Sequence, residues 1–214
     1  MTLQPRGSSI KSGWYKRFFA WMLAKHADAY EQQVAGRKRV IFATLEGAVV
    51  EIGPGTGSNF RYYPPDIRWI GIEPNVYMRP YLEREAAKYG IPVDFRSGIA
   101  EQLGVPDQSA DAVVSTLVLC SVRDQEAVLQ EVLRALKPGG RFVFVEHVAA
   151  PRGTRQRLVQ RLIRPVWQLV GDGCHPDRET WSAIERAGFS EVQYERFRVP
   201  WPVVGPHIIG VARK

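Results

Sequence analysis

The 214-residue chain contains little cysteine, no long apolar segment and no internal repeat. Its two cysteines, Cys120 and Cys174, are too few and too widely separated for a disulfide scaffold, which indicates a reducing compartment. The longest apolar stretch near the start, residues 18–24, is far shorter than the roughly 20 residues that cross a bilayer. No signal-peptide cleavage pattern follows it. These absences predict a cytoplasmic protein.

Signatures of metal and nucleic-acid binding are also missing. The chain has no H-x-x-x-H or C-x-x-C spacing, and Cys174 beside His175 is too little for a zinc site, so no metal is expected. Lys and Arg outnumber Asp and Glu by 29 to 22, giving a net charge of +7. The excess in residues 11–39, Lys38 included, and 152–164 fits a solvated basic surface or an anionic membrane contact. Without a binding module or an N-P-P-Y-type motif, no nucleic-acid partner is expected.

Alternating strand and helix patterns predict a single α/β domain over residues 1–214. A polar tail (1–13) and an amphipathic helix (14–35), interpreted as a lid that precedes the core, come first. Residues 40–150 alternate five apolar strands with helices, which implies right-handed crossovers and a mainly parallel sheet. A helical insertion (151–190) and two closing strands (191–214) bring the sheet to seven strands with helices on both faces.

A glycine-rich turn follows the first strand, in "VVEIGPGTGSNF". Gly53, Gly55 and Gly57 favour a ligand that touches the main chain, with a purely structural turn as the alternative. Ser58 breaks the G-x-G-x-x-G spacing of a dinucleotide site, and no Walker loop is present. Twenty positions after Gly53, Glu73 in "GIEPN" has the chemistry to accept hydrogen bonds from two ribose hydroxyls. A nucleoside ligand is therefore predicted.

Four stretches together resemble a known family. "VVEIGPGTGSNF", "GIEPN", "DAVVSTLVLCSV" and "LKPGGRFVFVEHV" are similar, in order and spacing, to the motifs of class I S-adenosylmethionine-dependent methyltransferases, in the branch of the ubiquinone and menaquinone C-methyltransferases. "GDGCHPDRETWSAIERAGFSEVQ" and "VGPHIIG" resemble segments of the membrane-associated alkyl thiol S-methyltransferases. Those relatives carry an apolar anchor and two adjacent cysteines, whereas this chain has a basic amphipathic helix and Cys174 followed by His175.

The resemblance implies a Rossmann-like fold with an antiparallel last strand, and S-adenosyl-L-methionine as the cofactor, released as S-adenosyl-L-homocysteine. Glu51 is placed near the amino group of the cofactor, Glu73 on the ribose and the glycine turn around the methionine portion. The full implied set of cofactor-binding residues is Glu51, Gly53, Pro54, Gly55, Thr56, Gly57, Glu73, Pro74, Asn75, Met78, Gly98, Ile99, Ala100, Leu117, Val118 and Leu119.

Methyl transfer is an in-line displacement that requires positioning and exclusion of water, with a base to help deprotonate the acceptor. His147, at the end of the fifth strand, and Asp172 and His175, in "GDGCHP", are the candidate catalytic residues. A structural hydrogen bond is the alternative for His147. Cys120 is interpreted as a small hydrophobic residue, and His207 as structural.

The predicted acceptor is a small apolar molecule, with a thiol favoured. The alternatives are a lipid, quinone or amine methylated at a membrane surface, which the basic amphipathic helices over 14–35 and 154–164 would contact. A nucleic-acid methyltransferase and a cofactor-binding protein without catalysis are less favoured alternatives.

Overall fold

A computed structural model describes residues 13–214, and seven strands form a single sheet in the order β3-β2-β1-β4-β5-β7-β6. The strands are β1 (Ala48–Ile52), β2 (Arg68–Ile72), β3 (Asp94–Arg96), β4 (Ala110–Thr116), β5 (Leu136–His147), β6 (Glu191–Arg198) and β7 (Pro206–Arg213). The first five pair in parallel, whereas β7 runs antiparallel to both β5 and β6. The predicted Rossmann-like, mainly parallel sheet is confirmed.

Helices cover both faces of this sheet. They are α1 (Gly13–Phe42), α2 (Arg79–Ala87), α3 (Gln125–Ala135), α4 (Arg155–Val170) and α5 (Thr180–Arg186), with short 3₁₀ turns at Ser58–Tyr62 and Val76–Met78. Alternate residues of β1 divide the core: Val50 packs with α3 and α5, whereas Val49 packs with α1 and α2. All five residues of β1 are buried, and a strand covered on both faces has a nearly continuous apolar sequence, as "AVVEI" does.

The first helix differs from its predicted extent and role. α1 ends at Phe42, seven residues beyond the predicted end, because Val34 and Phe42 are fully buried against the sheet. The expectation that this helix precedes the core was wrong for its second half. Lys38, counted among the basic surface residues, is also fully buried, because its ammonium group donates to Glu31 (2.7 Å) and Asn59 (2.9 Å). The predicted polar tail lies outside the described residues, except for Gly13.

The insertion helix α4 buries a polar residue and exposes most of its apolar ones. It buries a glutamine: Gln160 accepts from the backbone N–H of Ala150 (2.8 Å) and donates to the carbonyl of Val203 (2.9 Å). Its apolar residues face outward instead, with exposures of 58% for Leu158, 72% for Leu162 and 67% for Leu169. An amphipathic helix normally packs its apolar stripe on the core. The apolar face of α4 therefore remains uncovered by the described chain.

Candidate active site

The carboxyl ends of β1, β2, β4 and β5 meet at one edge of the sheet, where the predicted site residues gather. Parallel α/β sheets bind ligands at this edge. The three turn glycines all have positive φ, but for different reasons. A Cβ on Gly53 would lie 2.6 Å from Val118, and one on Gly57 would lie 2.8 Å from Phe60, so these two glycines are required by internal packing.

Gly55 is the turn glycine that faces open space. A Cβ built there meets nothing within 4 Å, although its φ of +55° is one that L side chains rarely adopt. Of its two neighbours in the chain, Pro54 is buried and Thr56 is half-buried. The predicted close approach of a ligand to bare backbone thus fits Gly55, whereas the structural alternative fits Gly53 and Gly57.

Glu73 lies beside Gly55 and is 6% exposed. One carboxylate oxygen accepts from the backbone N–H of Gly55 (3.1 Å) and the other from that of Asn75 (2.8 Å). Burial raises the pKa of Glu73 to about 7, against the opposing effect of these two N–H groups. Each oxygen keeps a further lone pair, so the carboxylate has the capacity to accept the two hydroxyls of a ribose.

Other predicted cofactor residues surround Glu73. Asn75 is buried, and its side chain accepts from the N–H of Tyr77 (3.2 Å) and donates to the carbonyl of Lys16 (3.0 Å). Pro74 is exposed and Met78 is buried.

The predicted segment Gly98, Ile99 and Ala100 lies at the same edge, because the N–H of Gly98 donates to the carbonyl of Glu73 (3.4 Å). The Ile99 side chain is 47% exposed, which fits a position at the border of an open site.

The segment after β4 borders the glycine turn. Leu117 has a φ of +58°, an uncommon conformation for a residue with a side chain, and its N–H donates to the carbonyl of Val145 (2.9 Å). Val118 contacts Gly53, and Leu119 is fully buried. Glu146 fixes this segment by accepting from Ser115 (2.6 Å) and from the N–H of Val118 (3.2 Å). Strained backbone held in this way is common at functional sites.

Glu51 is engaged inside the protein. Its carboxylate accepts from Asn59 (2.6 Å), Tyr63 (2.8 Å) and Trp69 (2.8 Å), and it is 1% exposed. Burial raises the pKa of Glu51, while these three donors oppose the shift. Its contact with the amino group of the cofactor stays a prediction, and the structure adds a second role, which is to join α1 and the glycine turn through Asn59.

His147 lies in a cluster with both cysteines. Its Nε2 is 3.0 Å from Sγ of Cys174, and the ligand atoms of Cys120, His147 and Cys174 all lie within 4.8 Å of one another. Burial opposes a charge on His147, but Cys120 raises the pKa of the imidazole above its usual value. The hydrogen bond with Cys174, together with burial, raises the pKa of Cys120.

The other two predicted catalytic residues are near this cluster but face different partners. Asp172 forms an ion pair with Lys16 of α1 (2.7 Å) and has a φ of +51°. His175 packs on the loop of Cys120, with its Nδ1 3.2 Å from the carbonyl of Cys120, and burial lowers its pKa. Asp172 thus connects the insertion to α1, and His147 is the candidate base placed deepest at this edge.

Several buried polar atoms at this edge have no hydrogen-bond partner among residues 13–214: Tyr30 Oη, Glu146 Oε2, His147 Nδ1 and His207 Nε2. The His207 ring lies 6.3 Å from that of His147 and 5.7 Å from that of Tyr30. Buried polar groups normally have partners, so these atoms are available to an ordered water or a ligand at this edge. The N-terminal helix contributes Tyr30 to this edge, and its ring packs against those of Trp201 and His207.

The proximity of the two cysteines was not predicted. Cys120 and Cys174 lie far apart in the chain, in the loops after β4 and after α4, and neither has a metal-ligand neighbour at a recognisable spacing. Tertiary contacts between these loops bring them together, among them the N–H of His175, which donates to the carbonyl of Cys120 (2.9 Å). No local sequence signal encodes that contact.

Comparisons with known proteins agree with this geometry. A family profile described as "Methyltransferase domain" matches residues 50–144. Human "Thiol S-methyltransferase TMT1A" is 40% identical over 212 residues, covering 93% of this chain and 87% of that protein. "Thiol S-methyltransferase TMT1B" of Rattus norvegicus has the same identity and coverage. A solved SAM-dependent methyltransferase of Thermotoga maritima, titled a possible histamine N-methyltransferase, aligns with a TM-score of 0.61 at 22% identity, covering 90% of this chain and 98% of that chain, and supports the fold.

The seven-stranded sheet, the contact between Gly55 and Glu73 and the family match together identify a class I S-adenosylmethionine-dependent methyltransferase. The cofactor of such an enzyme is S-adenosylmethionine. The chain belongs to the methyltransferase family that includes TMT1A and TMT1B. The predicted fold, cofactor and enzyme class are therefore confirmed. No helix among residues 13–214 is long and apolar enough to cross a membrane.

Proposed function

We propose that the protein transfers the methyl group of S-adenosylmethionine to the sulfur of a small apolar thiol. The observation that carries this proposal is the similarity to two relatives named thiol S-methyltransferases, which extends over 93% of the chain, insertion included. The site supports it, because the edge that holds Glu73 and Gly55 also holds a buried, mainly apolar region next to Leu119. An apolar thiol fits such surroundings better than a charged acceptor.

The reaction is a displacement at the methyl carbon. The acceptor sulfur forms a bond to that carbon while the carbon–sulfur bond of the sulfonium breaks, and the thiol proton is released to solvent. The products are a thioether and S-adenosylhomocysteine. Glu73 and Gly55 hold the nucleoside, and the segment after β4 confines the reacting groups and excludes water, which is the main contribution that an enzyme makes to this reaction.

An acceptor panel tests the proposal. Labelled S-adenosylmethionine is incubated with 1-hexanethiol, 1-hexanol, 1-hexylamine, phosphatidylethanolamine and a demethylated quinone, and methylated products are quantified. We expect methylation of the thiol and at least a hundredfold lower rate with the alcohol, because an alcohol is far less acidic than a thiol, whose unperturbed pKa is about 8.5. Methylation of the lipid, amine or quinone without that of the thiol would overturn the proposal in favour of the alternative acceptors.

We further propose that the protein binds an anionic membrane surface through α1 and α4. The start of α1 exposes Trp14 (74%) and Trp21 (47%), and the end of α4 exposes Val166 (61%) and Leu169 (67%). The two helices are joined where the hydroxyl of Tyr15 donates to the carbonyl of Val170 (2.7 Å). Their outward apolar residues are therefore parts of neighbouring surfaces.

Exposed cations on the same two helices favour lipid as the occupant. Arg17 and Lys25 lie on α1 and Arg155, Arg161 and Arg164 on α4. Apolar side chains flanked by Lys and Arg suit insertion at the headgroup level of an anionic bilayer. A membrane would also hold the apolar acceptor close to the enzyme.

Vesicle flotation tests this surface. We expect the protein to float with vesicles that contain phosphatidylserine, and to do so weakly with phosphatidylcholine alone. Leu162→Glu combined with Leu169→Glu should abolish flotation, whereas the control Val40→Glu, at a 75% exposed site near the other end of α1, should not. Equal flotation of the double variant and the wild type would contradict the proposal.

A further inference from the structure

Three side chains that commonly bind transition metals meet at the edge where the methyl acceptor is received. The ligand atoms of Cys120, His147 and Cys174 lie within 4.8 Å of one another, and all three residues are buried. We propose that this cluster binds one zinc ion, and that the acceptor thiol takes the remaining position on the metal. The inference rests on the proposed thiol S-methylation and names the group that activates the thiol.

The cluster is assembled from three separate parts of the fold. Cys120 follows β4, His147 is the last residue of β5, and Cys174 lies in the loop after α4. Arg178 fixes the loops by donating from its guanidinium to the carbonyls of Leu119 (2.8 Å) and Val122 (2.6 Å). These contacts involve neither the thiols nor the imidazole, so the ligand atoms are brought together by the framework around them.

The surroundings of the cluster suit a metal thiolate. The indole N–H of Trp167 donates to Sγ of Cys174 (3.3 Å), a contact that stabilises negative charge on sulfur. Outer hydrogen bonds of this kind orient metal ligands. In a reducing compartment, two thiolates and one imidazole favour zinc. Zinc sites with three protein ligands, Cys₂His among them, keep a fourth position for water or substrate.

The His147 ring presents Nε2 to the cluster, since this atom lies 3.0 Å from Sγ of Cys174. His147 is 4% exposed, yet its Nδ1 has no partner among the described residues, and the same holds for Oε2 of the neighbouring, fully buried Glu146. A zinc ion on Nε2 leaves Nδ1 to donate outside the cluster, as the second ring nitrogen of a metal-bound histidine does. Glu146 and His147 lie on the strand end that supplies the imidazole of the cluster.

The chemistry of the reaction gives the metal a role. A thiol that coordinates a cation such as zinc loses its proton, so the acceptor is presented as a thiolate at neutral pH. Its sulfur then attacks the methyl carbon, the sulfonium bond breaks, and the resulting thioether carries no charge to hold it on the metal. In this arrangement His147 is a ligand, and the proton of the thiol passes to solvent.

Metal content is the first test. The full chain is expressed with added zinc, purified without chelators and analysed by mass spectrometry for metal per chain. We expect about one zinc per chain in the wild type and at least a fivefold loss in Cys120→Ser, Cys174→Ser and His147→Gln. The control His26→Gln changes an exposed histidine on α1 and should keep the metal. Binding of S-adenosylmethionine by each variant shows that it is folded.

Cobalt substitution tests the open position without relying on turnover. The cobalt protein should show a thiolate charge-transfer band and tetrahedral visible bands, and 1-hexanethiol, but not 1-hexanol, should shift the visible bands. Thiol methylation by a zinc-free protein, or a disulfide between Cys120 and Cys174 in protein that is active as purified, would overturn the metal proposal and leave the proposed function intact. Zinc binding without any response to thiols would overturn the acceptor role of the metal.

Discussion

The backbone N–H of Gly55 donates to a carboxylate oxygen of Glu73 at 3.1 Å, which joins the turn after β1 to the end of β2. The second oxygen accepts from the N–H of Asn75 at 2.8 Å. Glu73 is thus positioned by the main chain before any cofactor arrives. A carboxylate fixed in this way loses little freedom when the ribose binds, and this is what preorganisation contributes to affinity.

Cofactor binding should depend on the ionisation of Glu73. Burial raises the pKa of Glu73 to about 7, and hydroxyl donors of the ribose favour its ionised form. Affinity for S-adenosylmethionine should therefore increase as pH rises to about 7 and level off above it, with a limiting slope of about tenfold per pH unit below the pKa. Calorimetry between pH 5.5 and 8.5 measures this dependence.

Glu73→Gln is the matched control for that titration. The amide has one acceptor oxygen and does not ionise, so we expect weaker binding at pH 8 and loss of the pH dependence around 7. The variant should still fold, because a neutral amide avoids the cost of a buried charge. If Glu73→Gln binds as tightly as the wild type, the ribose is held by other groups.

The ion pair between Lys16 and Asp172 should hold α1 over the cofactor site. The two side chains are 27% and 18% exposed, and the carbonyl of Lys16 also accepts from Asn75. Lys16→Met and Asp172→Asn should each raise the dissociation rate of the cofactor about fivefold, equivalent to about 1 kcal/mol, and the double variant should add little. Stopped-flow displacement of bound cofactor gives these rates.

Turnover measured on the same variants decides the role of Asp172. The control Arg79→Met breaks an exposed ion pair with Glu83 and should leave the dissociation rate unchanged. If Asp172→Asn instead abolishes turnover with normal cofactor binding, and Lys16→Met does not, Asp172 acts as the base that the sequence predicted.

Lys38 should contribute strongly to stability despite its place in a basic stretch. Its ammonium group is fully buried and paired with Glu31 at 2.7 Å. Lys38→Met leaves the buried Glu31 carboxylate with the Tyr62 hydroxyl (2.8 Å) but without its cation, which costs about 3–5 kcal/mol in the free energy of unfolding. The exposed neighbour gives a control, since Arg39→Met should change that energy by less than about 0.5 kcal/mol. Urea unfolding of both variants checks the difference, and similar values would show that the buried pair is not needed.

Most of the fold could be predicted because its signals are local. The strand "AVVEI" and the helix that Asp124 caps through the N–H groups of Glu126 and Ala127 occur where apolar pattern and capping chemistry place them. The end of α1 could not be predicted in this way. Gly36 and the basic residues around it suggest a helix end, but burial of Phe42 against the sheet outweighs that propensity.

The cofactor side of the site was more predictable than the acceptor side. Gly55 and Glu73 lie at the ends of adjacent strands, so sequence order and parallel pairing already place them together. Cys120 and Cys174 meet because the insertion contacts the loop after β4, a tertiary contact without a sequence period. The sequence offered the helix over 154–164 as a membrane contact without deciding it, since periodicity indicates that a helix has an apolar stripe but not what covers it.

Among the turn glycines, Gly55 should be the one that reports on the cofactor. Gly55→Ala and the control Gly90→Ala place a Cβ at φ values of +55° and +66°, each with nothing within 4 Å, so both should cost about 1 kcal/mol of stability. Only Gly55→Ala adds a methyl group where we expect the cofactor to approach the backbone, and its affinity for S-adenosylmethionine should fall at least tenfold. Gly53→Ala should instead destabilise the fold, because its Cβ would overlap Val118. Thermal unfolding and calorimetry separate the two effects, and unchanged affinity in Gly55→Ala would show that the cofactor does not approach the turn at this residue.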